Sequence, residues 1–216
     1  SGSSMQFIVD EGDAADTAMF ISDASLVGIG TIVPGATLEV AATAAEPVIE
    51  LSCWSTTESH TPKLVFQKSG NATIGTLTPT EDDENLGEIS FWGVDNSSAI
   101  KKAAYIRVSQ DSVKDSESVP ARMTFATSDT NDNGTPTPRI TILEDGNVGI
   151  SVVAPDTQLQ VDGGIKISGT APTLTIQGDT NQDALIKLLN STTLMWTIQN
   201  DTVDGGHGAG VNTLAI

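Results

Sequence analysis

The chain contains one stretch twice, and that repetition constrains its fold more than any other feature. The first copy is Val27-Gly28-Ile29-Gly30-Thr31-Ile32-Val33-Pro34-Gly35-Ala36-Thr37-Leu38-Glu39-Val40. The second is Val148-Gly149-Ile150-Ser151-Val152-Val153-Ala154-Pro155-Asp156-Thr157-Gln158-Leu159-Gln160-Val161. They align without a gap 121 positions apart (27 to 148), keeping Val-Gly-Ile, a Pro five residues on, and Leu-x-Val. An internal repeat of this kind changes the whole fold reading. Val-Gly-Ile sets β-branched residues on both sides of a residue without Cβ. That suits extended backbone passing close to another segment, or a turn needing positive φ. The Pro ends the run, and Leu-x-Val points two apolar side chains to one face of a new short strand. Such a unit is too short to bury its own apolar face and needs neighbours.

Short alternating runs flank both copies. Gln6 to Glu11 and Ala18 to Ile21 predict two strands leading into the first copy, and Trp196 to Asp201 with Thr213 to Ile216 repeat that arrangement. The order of these elements leads us to expect a further Val-Gly-Ile copy after Ile216 in a longer parent chain. Downstream, Pro47-Val48-Ile49-Glu50-Leu51 matches Pro172-Thr173-Leu174-Thr175-Ile176 at an offset of 125 (47 to 172). Lys63 to Gln67 and Ala72 to Gly75 likewise parallel Ile186 to Asn190 and Met195 to Ile198. All are read as short strands between polar turns, the mark of an all-β chain.

Between the copies, Gly87 to Gly93, Ala104 to Val108, Arg122 to Thr127 and Pro138 to Leu143 predict a four-stranded antiparallel meander. Its apolar face is Ile89, Phe91, Ile106, Val108, Met123, Phe125, Ile140 and Ile142, a surface that needs a cover. Trp92 and Tyr105 alternate onto the opposite face. The expected organisation is thus a tag remnant (1–4), a first β-repeat module (5–79), a knob-like meander (80–145) and a second β-repeat module (146–216).

Composition narrows the function. Aromatic residues make up 4% of the 216 residues, with 20 Gly, thin for a compact enzyme of this size. The net charge is −18, and residues 1–62 hold nine acids and no Lys or Arg. Such a chain repels phosphate backbones and anionic membranes, which argues against nucleic-acid and lipid binding. The lone Cys53 excludes an intrachain disulfide. No apolar run reaches the length of a membrane span, so membrane insertion is not expected.

The repeated motif resembles the stem repeats of bacteriophage tail fibres and tailspikes: Val-Gly-Ile-Gly-Thr, a Pro-Gly or Pro-Asp turn, Leu-x-Val, and segments such as Asp145-Gly146-Asn147-Val148-Gly149-Ile150. The resemblance implies an elongated, intertwined homotrimeric β-fibre, with the repeat modules as stem and the meander as a wider knob. It places the protein in the virion, joined to other fibre segments and carrying or contributing to host-surface receptor binding, with a host-surface glycan among the candidate partners. On that reading the residues holding three chains together are Val27, Ile29, Leu38, Val40, Val148, Ile150, Leu159 and Val161. Trp92 and Tyr105 are the candidate glycan contacts. A cellular trimeric adhesin, a monomeric carbohydrate-binding β-domain and a glycan-degrading tailspike are the alternatives.

Other candidate chemistry is sparse. Asp129, Asn131 and Asn133, with Gly134 sixth, match the first half of a calcium loop, but the twelfth position is Ile140 rather than a bidentate acid, and a hairpin turn is the plainer reading. Apart from that possible Ca2+, no cofactor is implied. Gly28-Ile29-Gly30 lacks the following Lys and helix of a phosphate loop. The acidic run Glu81 to Glu84 reads as a solvated loop rather than a glycosidase pair. His60 and His207 form no Ser/His/Asp arrangement, and no enzymatic activity is expected.

Overall fold

A computed structural model describes residues 4–10, 15–113, 115–177, 185–190 and 193–199. The chain divides into two compact units, Ser1–Gln67 and Lys68–Ile216. Every regular element among the described residues is a β-strand.

The first unit carries one four-stranded sheet. β1 (Met5–Asp10) pairs antiparallel with β2 (Ala15–Ile21), β2 antiparallel with β3 (Val27–Ile29), and β3 parallel with β4 (Leu38–Val40). A parallel pair ordinarily needs a crossover of about a dozen residues or more. Here residues 30–37 suffice, because strands of three residues advance only ~10 Å and the return path is short. The loop folds tightly over β3. A Cβ at Gly28 would lie 2.3 Å from the Thr31 carbonyl oxygen, closer than real atoms come. Only glycine fits.

The second unit repeats this construction within a larger sheet. β5 (Asn85–Val94), β6 (Ile100–Gln110), β7 (Ala121–Thr127) and β8 (Thr137–Ile142) form the expected antiparallel meander. Pairing then continues past residue 145 without a break. β8 pairs with β9 (Val148–Ile150), and β9 pairs parallel with β10 (Leu159–Val161), so meander and second copy make one six-stranded sheet. A separate hairpin joins β11 (Leu185–Asn190) to β12 (Thr193–Gln199). The rest of the predicted C-terminal strand pattern, Asn200 to Ile216, lies outside the described residues.

The two copies share the bonds that close their loops. Val27 N–H donates to the Thr37 carbonyl (2.8 Å) as Val148 does to Gln158 (2.9 Å), and Ala41 to Ile29 (2.9 Å) as Asp162 to Ile150 (3.0 Å). Glu39 Oε2 accepts the Gly35 N–H at 2.7 Å where Gln160 Oε1 accepts that of Asp156 at 3.1 Å. The similarity also reaches upstream of the motif. Ser22–Leu26 and Leu143–Asn147 close the same turn, with positive φ at Ser25 and Gly146. β1 and β7 carry Met5-x-Phe7 and Met123-x-Phe125 in the same register, each followed by a bulge. The reiterated unit is therefore four strands, β1–β4 and β7–β10. Ser151, which stands where the first copy has Gly30, keeps the left-handed backbone, with φ 59° against 71°.

Four predicted strands are absent. Residues 47–51, 63–67 and 172–176 run without strand structure, because no strand among the described residues lies beside them to take up their backbone groups. Residues 72–75 form a turn instead: Asn71 Oδ1 accepts the Thr73 N–H at 2.8 Å, and Gly75 sits at φ 85°.

Candidate functional site

Strand alternation divides the six-stranded sheet into two unlike faces. One carries two unbroken apolar rows. The first runs Ile89, Ile106, Phe125, Ile140, Ile150, Val161; the second runs Val108, Met123, Ile142, Val148, Leu159. The sheet of the first unit repeats both rows in miniature, as Phe7, Met19, Ile29, Val40 and Met5, Ile21, Val27, Leu38. All eight residues picked out by the repeat thus lie in these rows, in the same register in both sheets.

Within each unit, none of the described residues covers this surface. Leu38 and Leu159 remain 57% and 58% exposed, and Tyr105 and Ala126 are the only buried hydrophobic residues among those described. A sheet with one apolar face ordinarily packs it against another layer. Uncovered apolar areas of this extent mark interaction surfaces.

The opposite face is polar and locked by charge. Glu88 faces Arg107 across the strand pair, accepting from its Nε at 2.8 Å and also from Lys102 Nζ. Partial burial pushes the Glu88 carboxyl up, but the bonds from Lys102 and Arg107 outweigh it and hold the group below its ordinary value. The Arg107 guanidinium lies 4.3 Å from the Tyr105 ring centre, and Lys102 Nζ sits 5.6 Å from Tyr105 and 5.2 Å from Trp92. Nearby, Arg122 bridges Asp83 (2.6 Å) and Asp111 (2.8 Å), which hold it firmly protonated.

A groove of about 680 Å³ opens here, floored by Tyr105, Arg107, Thr124 and Thr141 and walled by Val153 and Ala154 of the repeat loop. Of the two aromatic candidates, Tyr105 is 8% exposed beneath Arg107, whereas Trp92 is 57% exposed with its indole N–H on Ser90 Oγ at 2.8 Å. Trp92 is the accessible ring.

The residues of the half calcium loop serve a turn. Asp129 Oδ1 accepts the Asn131 N–H at 2.7 Å, Asp132 accepts from Asp129 N–H and Thr137, and Arg139 lies 3.5 Å from Asp129. Asn133 and Gly134 supply the left-handed corner, with φ 47° and 79°. Among the described residues, no group of three or more His, Cys, Asp or Glu side chains is placed to hold a metal ion.

Sequence reasoning missed the Glu88–Lys102–Arg107 cluster and the Arg122 bridge. Their signal was opposite charges at alternating positions of neighbouring strands, but register is needed to pair them. It also stopped the repeat at Val27, although Met-x-Phe recurs 118 positions apart (5 to 123).

These features define a class: an all-β fold of short-stranded sheets, each with one uncovered apolar face among the described residues. No protein-family model and no curated protein matches the chain. Among solved structures it is similar to the carboxy-terminal domain of the bacteriophage T5 L-shaped tail fibre, with a TM-score of 0.56 at 12% identity. That likeness covers 84% of this chain and 74% of the other. At such an identity the likeness speaks for the fold alone.

Proposed function

We propose that this chain is a structural segment of a phage tail fibre or tailspike, a virion component in which three copies share one apolar core and support attachment to a host surface. The observation that carries the reading is the pair of uncovered apolar rows, repeated in register in both sheets. Val27, Ile29, Leu38 and Val40 with Val148, Ile150, Leu159 and Val161 form the inter-chain contact. The tail-fibre-like fold supports the virion setting.

A mechanical role fits the polar face better than catalysis does. On that face the Glu88 carboxyl, between Lys102 and Arg107, is held low, the opposite of the raised pKa a glycosidase acid needs. Exposed Trp92 is the residue through which this segment stacks on a host glycan. Light scattering on a size-exclusion column tests the proposal. A mass three times 22.4 kDa is expected; a stable monomer with the same sheets overturns it.

A further inference from the structure

The groove on the polar face holds two buried side chains whose hydroxyls bond no described residue. Thr141 is 3% exposed and Tyr105 8%, and neither hydroxyl has a hydrogen-bond partner among the described residues. Neither oxygen is sealed from solvent, and both residues line the groove. Burial strips a hydroxyl of water, so one left without a partner is uncommon. Two in one groove of 680 Å³ mark a place where a partner enters from outside.

Strand register sets further polar groups in line with them. Arg107 pairs with Thr124, and Thr124 with Thr141, so the three side chains stand on one face at strand spacings of ~4.8 Å. The row spans ~10 Å, enough for one pyranose ring with its substituents. Arg107 gives Nε and Nη2 to Glu88, which leaves its Nη1 amino group without a partner among the described residues. The Thr124 hydroxyl likewise bonds none of them. At the far end Asp83 and Asp111 each present one oxygen to Arg122, and Asp83 keeps Oδ2 for another donor.

We infer that this groove binds a sugar carrying one carboxylate, a hexuronate unit, with its carboxylate on Arg107 Nη1 and its hydroxyls on Thr124, Thr141, Tyr105 and Asp83. The guanidinium selects an anionic group at one end. The aspartates at the other end accept hydroxyl hydrogens and repel a second negative charge. Val153 and Ala154 offer the C–H face of the ring an apolar wall. A phosphate would fill only the Arg107 end, and a neutral sugar would leave the guanidinium N–H groups unmatched. The site lies within one unit of one chain and is lined by residues other than Trp92. Only its part in host contact rests on the attachment reading above.

Saturation-transfer NMR titrations with glucuronate and galacturonate, and with glucose and galactose as neutral counterparts, test the inference. One of the two uronates is expected to bind in the millimolar range, with its neutral counterpart roughly tenfold weaker. Thr141→Val removes a hydroxyl that bonds nothing in the fold. It should weaken uronate binding about tenfold while leaving the melting temperature unchanged. Trp92→Ala should leave the titration unaltered. Absent uronate binding, equal binding of the neutral sugar, or a lowered melting temperature in Thr141→Val overturns the groove site. Binding lost in Trp92→Ala and kept in Thr141→Val also overturns it, while keeping the attachment reading with Trp92 as the contact. The multi-copy reading stands or falls separately, on the measured mass.

Discussion

Replacing Ile150 by Asp tests the shared core at its centre. Ile150 lies between Ile140 and Val161 in the longer apolar row and is 40% exposed in the single chain. Full burial of such a side chain stabilises by ~1.5–3 kcal/mol. The uncovered two-fifths therefore leave roughly 0.6–1.2 kcal/mol per copy to be gained on assembly, or about 2–4 kcal/mol for three copies. Aspartate forfeits that gain and adds three carboxylates in one dry core, each costing several kcal/mol to desolvate without a partner. The variant is expected to be monomeric or aggregated by light scattering across a dilution series. Gln160→Glu is the control: it lies on the adjacent strand with the opposite facing, and Glu39 already makes the equivalent bond in the first copy. The control should keep the wild-type mass. A soluble, intact trimer of Ile150→Asp would refute the packing argument.

Three further outcomes are expected. Gly149→Ala places a Cβ 2.1 Å from the Val152 carbonyl oxygen and should destabilise by about 1–3 kcal/mol, whereas Ser151→Gly relieves a left-handed serine and should raise the melting temperature by the equivalent of ~0.5–1 kcal/mol; the reverse order in a thermal melt would contradict the strain assignment. Glu88 is held below its reference value of 4.5, so the unfolded chain binds the extra proton first, and the stabilisation is present above about pH 4.5 and lost as pH falls through the folded value. Denaturant titrations of Glu88→Gln should show a deficit at neutral pH that closes on acidification; a pH-independent deficit would remove the ion-pair account. Gln110 is fully buried, accepting from Thr80 Oγ1 at 2.7 Å and donating to the Ser112 carbonyl at 2.9 Å. Gln110→Ala should cost about 1–3 kcal/mol by orphaning both groups, measured by denaturant midpoint, and an unchanged midpoint would show the joint to be dispensable.

Much of this architecture is legible in the chain itself, because side-chain alternation is local. The meander strands, the apolar set from Ile89 to Ile142 and the grouping of Val148, Ile150, Leu159 and Val161 all follow from period-two patterning and one repeat. Gly28 and Gly149 are required by a loop that folds straight back over them, a contact made within three residues. Pairing is different, since a strand's hydrogen bonds go to backbone remote in sequence. Only the tertiary structure joins β8 to β9 and so merges meander and repeat into one sheet, aligns Glu88 with Arg107, and covers Tyr105 while leaving Trp92 open. The same reason explains 47–51 and 172–176, which have the pattern of strands and no strand beside them among the described residues. Alternation specifies which way each side chain points; the partner backbone decides whether a strand forms.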